Sequence, residues 1–277
     1  MLEGSILRRL DEAHREGKQP LNLGVYYKNT LVALCHALED FILESDSAPI
    51  VITAFQRGKW YLEEAERYAD IAKRSQQIAI MAAADSTWLE HPTSNLDNVD
   101  LVSVDSKDPV AEEWHLIILS PNYTAMVICQ ELSSDDYGSS GQPESDLERK
   151  FYGLWTFEPD LVRETAQIAI DHIESYNPEL AKKFHEYEHK IKPTAATSEE
   201  LATVVSRVVD YLQEGQTNIS VPAGNRHRIL DRNLFSNEIQ AFLRMAQILD
   251  AADPTNPMAA TEVVALAETM GQLLDLP

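Results

Sequence analysis

The stretch from Pro49 to Ala83 constrains the fold more than any other. "PIVITAF" is an apolar run, "GKWYLEEAERYADIAKRS" has a helical period, and "QQIAIMAA" is a second apolar run. A strand that passes through a crossover helix into a parallel neighbour reads this way, and strands apolar at nearly every position want cover on both faces. "VDLVSVD" continues as a third strand. Beyond it, "EWHLIILS" and "YTAMVICQEL" flank Ser120-Pro121-Asn122. Pro presets φ and Asn tolerates a left-handed conformation, so an antiparallel hairpin is expected. The expected fold is α/β: a mixed sheet, with a parallel βαβ start plus an antiparallel hairpin, flanked by helices.

Around this sheet the periodicity predicts helices. "SILRRLDEAHRE" places Ile6, Leu7, Leu10 and Ala13 on one face behind Ser5, a short amphipathic helix, and "PLNLGVYY" then breaks it. From Asn29 to Glu44, Leu31, Leu34, Cys35, Leu38, Phe41 and Ile42 form a wide stripe, and Val32, Ala33, Ala37 and Leu43 make the other side apolar too, so this helix should be buried on more than one side. "SSDDYGSSGQPESD" lacks an apolar period and is expected to be a mobile loop. "FYGLWTF" reads as the last strand. Glu158-Pro159-Asp160 opens a helix, and another runs from Pro178 to about Ile191. After a linker at residues 193 to 198 only helices follow: "SEELATVVSRVVDYLQE", with Thr197 or Ser198 as cap, "NLFSNEIQAFLRMAQILDAA" and "AATEVVALAETMGQLL". This divides the chain into an N-terminal helix and loop (1–26), an α/β domain (27–192) and a helical extension (193–277).

With 45 Asp+Glu against 23 Lys+Arg, the formal charge of -22 repels phosphate backbones and anionic headgroups. Nucleic acid is therefore not the expected partner. Cys35 and Cys129 lie far apart inside apolar segments and are read as reduced core residues. No apolar run approaches the ~20 residues of a spanning helix, and no secretory h-region follows the basic residues near the start. A cytoplasmic protein without membrane insertion is expected.

Gly58-Lys59 stands at a strand-to-helix junction, where a phosphate loop would. It is not one: Thr53 occupies the position of the first glycine, and Trp60 that of the hydroxyl residue. With 10 glycines in 277 residues and no Gly-x-Gly-x-x-Gly, backbone cradles have little material. "HEYEH", His185 to His189, superficially has the zinc-protease spacing, but its polar surroundings read as a solvated helix. No catalytic residue, metal ligand or cofactor follows from these patterns.

Two arrangements remain. His36 has Glu39 and Asp40 at helical spacing, which suits either a satisfied polar anchor or a ligand-binding group. If the first three strands are parallel, Phe55-Gln56-Arg57, Asp85-Ser86 and Asp105-Ser106-Lys107 gather at one sheet edge, where α/β proteins bind ligands; the same residues also supply ordinary cap and loop chemistry. Tyr26, Tyr27, Trp60, Tyr61, Trp155 and Phe157 could line a pocket, although aromatics at such spacing are more often core.

"LVALCHALEDFI", "VITAFQRGKWYLEEAERYADIAKRSQQIAIMAA", the "WHLIILSPNYTAMVICQEL" hairpin and "RKFYGLWTFEPDLVRETAQIAIDHI" together resemble the DICT domain, from about Tyr27 to about Tyr176. That family is a sensory module found beside diguanylate cyclases and two-component proteins, largely of cyanobacteria. The resemblance implies a non-catalytic input domain and points to His36, Glu39 and Asp40, and to Phe55, Gln56, Tyr61 and Tyr68, as ligand-binding candidates. Arg57, Asp85 and Asp105 join them from the strand-edge argument. No output signature is present. The response is expected to pass to a signalling partner of histidine kinase or diguanylate cyclase type, with a homodimer formed through the C-terminal helices. The alternatives are a metal-assisted hydrolase using Asp85 and Asp105, or a structural adaptor without a pocket.

Overall fold

The computed structural model describes residues 1–15, 20–83, 88–143, 146, 149–192, 197–217, 246, 250, 255–256 and 258–273. By compactness the chain divides into Met1–Ala196 and Thr197–Pro277.

The first unit is built on a seven-stranded mixed sheet ordered β1-β7-β6-β5-β2-β3-β4. Its strands are β1 (Gly24–Tyr27), β2 (Ile50–Arg57), β3 (Gln77–Ala83), β4 (Val99–Val104), β5 (Glu113–Leu119), β6 (Thr124–Glu131) and β7 (Lys150–Thr156). β2, β3 and β4 are parallel, and the remaining pairings are antiparallel. The crossover between β2 and β3 is the helix α3 (Gly58–Ala72), as its period predicts. β3 is buried at every residue, the reason it reads as an unbroken apolar run. The β5–β6 hairpin closes at Ser120, whose N–H and hydroxyl both donate to the Tyr123 carbonyl, at 3.1 and 2.7 Å.

Helices cover both faces. Ile50, Ile52 and Ala54 of β2 share a core with α1 (Ile6–Arg15), α4 (Pro159–Glu174) and α5 (Pro178–Glu188). Strand alternation sends Thr53 and Phe55 to the other face, toward α2 (Lys28–Glu44) and α3. Pro159 and Pro178 occupy the first turns of α4 and α5, where the missing N–H costs nothing. The N-terminal helix is part of the core: Ile6, Leu7 and Leu10 are fully buried, each contributing roughly 1.5–3 kcal/mol. Its first N–H groups, those of Ile6 and Leu7, donate to the buried carboxylate of Glu113 at 3.1 and 2.8 Å.

Two stretches expected to lack regular structure contain some. "LGVYY" contains the edge strand β1, paired with β7 from Gly24↔Gly153 to Tyr27↔Lys150. Ser134–Ser140, expected to be a mobile loop, forms a run of 3-10 turns, in which the Ser133 hydroxyl donates to Asp136 Oδ2 at 2.7 Å. The Tyr137 hydroxyl also accepts from the Lys150 N–H at 2.7 Å.

In the second unit, α6 (Ser198–Thr217) opens on a reciprocal cap. The Glu200 N–H donates to Thr197 Oγ1, and the Thr197 N–H to Glu200 Oε2, as Thr-x-x-Glu permits. Near the end of the chain, α7 spans Ala259–Leu273. The helix expected at "NLFSNEIQAFLRMAQILDAA" and the linker at 193–196 fall outside the described residues.

Candidate functional site

α2 and α3 do not close fully against each other over the sheet. Between them lies a cleft lined by Val32, Cys35, His36 and Glu39 of α2, Glu64 and Tyr68 of α3, Thr53 and Phe55 of β2, and Trp114 and Leu116 of β5, around a cavity of about 20 Å³. One or two waters would fill that volume.

The two helices are joined across this cleft by charge. His36 Nε2 lies 3.3 Å from Glu64 Oε2. Arg67, one turn beyond Glu64, donates from Nε to Glu39 Oε2, and from Nη2 to Asp40 Oδ1 at 2.7 Å and to the His36 carbonyl at 2.8 Å. The Tyr68 hydroxyl sits 3.1 Å from Glu39 Oε1 and 3.2 Å from Thr53 Oγ1. Thr53 gives its own proton to the His115 carbonyl at 2.8 Å, so Tyr68 has one hydrogen between two acceptors. Phe55, Tyr61 and Tyr68 meet edge-on or tilted, with centroids 5.6 to 6.2 Å apart.

Burial and charge compete here. Glu39 is 4% exposed, and burial raises its pKa although Arg67 and His36 pull it down. Arg67 is itself held above the ordinary guanidinium value: burial opposes its charge, but Glu39 and Asp40 more than offset that. The partners' shifts differ in sense because Glu39 lies deeper, so desolvation weighs more on it. His36 is raised: burial acts downward and is outweighed by the Glu64 hydrogen bond and the charges of Glu39 and Glu64. Glu64 is lowered, first by its bond to His36. Cys35 and His36, consecutive on α2, both line the cleft. Burial pushes the Cys35 thiol well above its ordinary pKa, which leaves no thiolate nucleophile at neutral pH.

The residues singled out in the sequence fall into separate places. His36, Glu39, Phe55 and Tyr68 line the cleft; Asp40 joins its ion-pair network and Tyr61 its aromatic wall. Gln56 belongs to another buried cluster, donating to Glu131 Oε2 at 2.8 Å while Arg149 binds both. Arg57 precedes α3 as its cap residue. The registers Arg57↔Ala83 and Ala83↔Val104 do put the tips of β2, β3 and β4 at one edge. There, however, Asp105 Oδ1 caps its own turn, accepting the Lys107 N–H at 2.8 Å. Asp85 lies outside the described residues. Among the proposed pocket aromatics, Tyr26, Tyr27, Tyr61, Trp155 and Phe157 are core.

Glu64, Arg67 and Trp114 were missed. Glu64 and Arg67 look like the solvated face of "YLEEAERYAD", yet they sit three residues from Tyr61 and one from Tyr68, at the border of the buried face. That adjacency was the available signal.

Residues 4–132 match the model of the DICT family, a sensory domain in diguanylate cyclases and two-component system. Residues 145–221 match the CHASE6_C family, the C-terminal domain of a two-partite extracellular sensor domain. No curated protein and no solved structure matches the chain. The resemblance to DICT read from the sequence is borne out with different bounds: the match takes in α1 and stops just after β6. Both families are sensory, and a sensory role is what they support.

Proposed function

We propose that the chain is a non-catalytic sensory or regulatory protein of bacterial signalling, which receives a small ligand in the α2–α3 cleft and acts by association with another protein. One observation carries this reading. Inside the DICT-matching residues, two helices on one sheet face are coupled through titratable groups around a small cavity, rather than through continuous apolar packing. A ligand that replaces one of those contacts changes the relation of α2 to α3 at little cost in core burial, as a receptor element requires.

The receiving partner in this reading is a histidine kinase or diguanylate cyclase, and the helices after residue 197 provide a homodimer contact. The CHASE6_C description is of an extracellular sensor. Two unpaired, buried cysteines are the usage of a reducing compartment and support a cytoplasmic placement. Fractionation of the native host separates the two.

The test is native mass spectrometry of protein purified from its own cells, combined with thermal-shift screening of small metabolites. A retained or stabilising molecule lost on substitution at Phe55 or Glu64 supports the reading; no retained molecule and no stabilising compound overturns it. The hydrolase alternative has less support, since Asp105 is committed to its turn. Calorimetry with Mg²⁺ and Mn²⁺ decides it.

A further inference from the structure

We propose that the α2–α3 cleft takes a primary ammonium group, the head of a small amine, against Glu39 and Glu64 and the rings of Phe55, Tyr68 and Trp114. The proposal rests on the cleft being the sensing site and names its ligand class.

Hydrogen-bond supply is the first argument. The lining polar groups are almost all acceptors or already committed: the carboxylates of Glu39 and Glu64, a Thr53 hydroxyl whose proton goes to the His115 carbonyl, and a Tyr68 hydroxyl whose proton serves Glu39 or Thr53. An anion or carbonyl ligand would find few donors. An ammonium group brings three donors and no acceptor.

Charge points the same way. Glu39, Asp40 and Glu64 meet one guanidinium, Arg67, whose Nε and Nη2 are spent on Glu39, Asp40 and the His36 carbonyl. Of the two carboxylates that line the cleft, Glu39 is held by Arg67, so with His36 neutral the charge of Glu64 is the one an ammonium group meets. Aromatic faces add quadrupole attraction for a cation. Size supplies the limit, because about 20 Å³ holds a water-sized head and excludes a bulky one. The methylene tail of the amine would point out of the cleft.

His36 then competes with the ligand. The groups facing it are Cys35, Glu39 and Asp40 on α2, and Glu64, Arg67 and Tyr68 on α3; β2 and β5 present Thr53, Phe55, Trp114 and Leu116. Deprotonating His36 removes the positive charge beside Glu64, while an alkylamine with a pKa of about 10.4 stays charged. Amine affinity should rise as pH climbs through the His36 titration.

Calorimetry on the full chain with methylammonium, putrescine, tetramethylammonium and acetate tests this. Saturable binding of the first two is expected, with none of the others, and tighter binding above the His36 titration than below it. Glu64→Gln and Phe55→Leu should each weaken methylammonium by about tenfold. Circular dichroism verifies folding, and Phe55→Leu carries the test should Glu64→Gln misfold. No saturable methylammonium binding, or binding unchanged in the folded variants, overturns the proposal. A retained molecule without an amine, released by Phe55→Leu, overturns the amine claim and leaves the sensing reading standing. A cleft that retains nothing and binds no screened compound removes both.

Discussion

Arg67 of α3 and Glu39 of α2 form a part-buried ion pair 28 positions apart in the chain, and the same guanidinium also binds Asp40. Its contribution shows most clearly when one partner goes. Arg67→Met would take from the buried Glu39 its hydrogen-bonded counter-charge, which costs about 3 kcal/mol, the lower end for such pairs because Arg67 is partly exposed. Glu39→Gln removes the buried charge but keeps one acceptor oxygen where Arg67 and Tyr68 use two, so it should cost about 1–2 kcal/mol, less than Arg67→Met. Urea unfolding checks both, as a fall in midpoint at unchanged slope; equal losses would mean that the charge of Glu39 is not the buried liability described.

The His36–Glu64 contact gives a pH window. His36 is raised from its ordinary 6.5, so its contribution is complete below that value and is lost as pH rises through the folded-state value above it. Glu64 is lowered from 4.5, so its contribution is present above that value and is lost as pH falls through the folded-state value below it. Stability from this pair therefore spans the interval between the two titrations and amounts to under about 1 kcal/mol, given the partial exposure of both side chains. The His36 ring resonances should titrate above the ordinary value, and Glu64→Gln should return them toward it. A titration midpoint unaffected by Glu64→Gln would contradict the pairing.

How far the molecule was legible in its sequence follows from what each element buries. β2, β3 and the β5–β6 hairpin are legible because both faces are covered, so each carries a continuous apolar run bounded by polar residues. β1 is not: four residues at a sheet edge, beginning with Gly24 and leaving Val25 exposed, carry no burial pattern. His36, Glu39 and Asp40 could be found because helical spacing brings them together locally. Their cross-cleft partners Glu64 and Arg67 could not, because a contact spanning 28 positions leaves no periodic trace. Glu113 was invisible for the same reason, since its cap on α1 spans 107 and 106 positions.

That cap makes α1 separable by mutation. Glu113→Ala strips the acceptor from the Ile6 and Leu7 N–H groups in a buried setting, for a loss of about 2–3 kcal/mol. The effect should be local first: amide exchange at Ile6 and Leu7 accelerates, and trypsin gains access to Arg8, Arg9 and Arg15 before the sheet opens. Uniform exchange acceleration across β2 and β3 would show that α1 does not open on its own.

Gly153 leaves no room for a side chain between β7 and β6. A Cβ there would stand 2.1 Å from the Ile128 carbonyl oxygen and 2.5 Å from the Cys129 Cα, neither of which a side-chain rotation can move. The Cys129↔Gly153 and Gly24↔Gly153 registers place Gly153 on β7 between β6 and β1, so an added methyl pushes β7 away from β6 in the antiparallel half of the sheet. Gly153→Ala should cost at least about 3 kcal/mol, the upper range for overpacking, because the relief must come from backbone. Gly141→Ala is a useful contrast, having open space around its Cβ, with only the strain of its positive φ of 66° to meet. Thermal unfolding should rank Gly153→Ala far below Gly141→Ala. Comparable melting temperatures would mean that β6 and β7 can part locally at little cost, and that the register joining β1 to the sheet is looser than these contacts require.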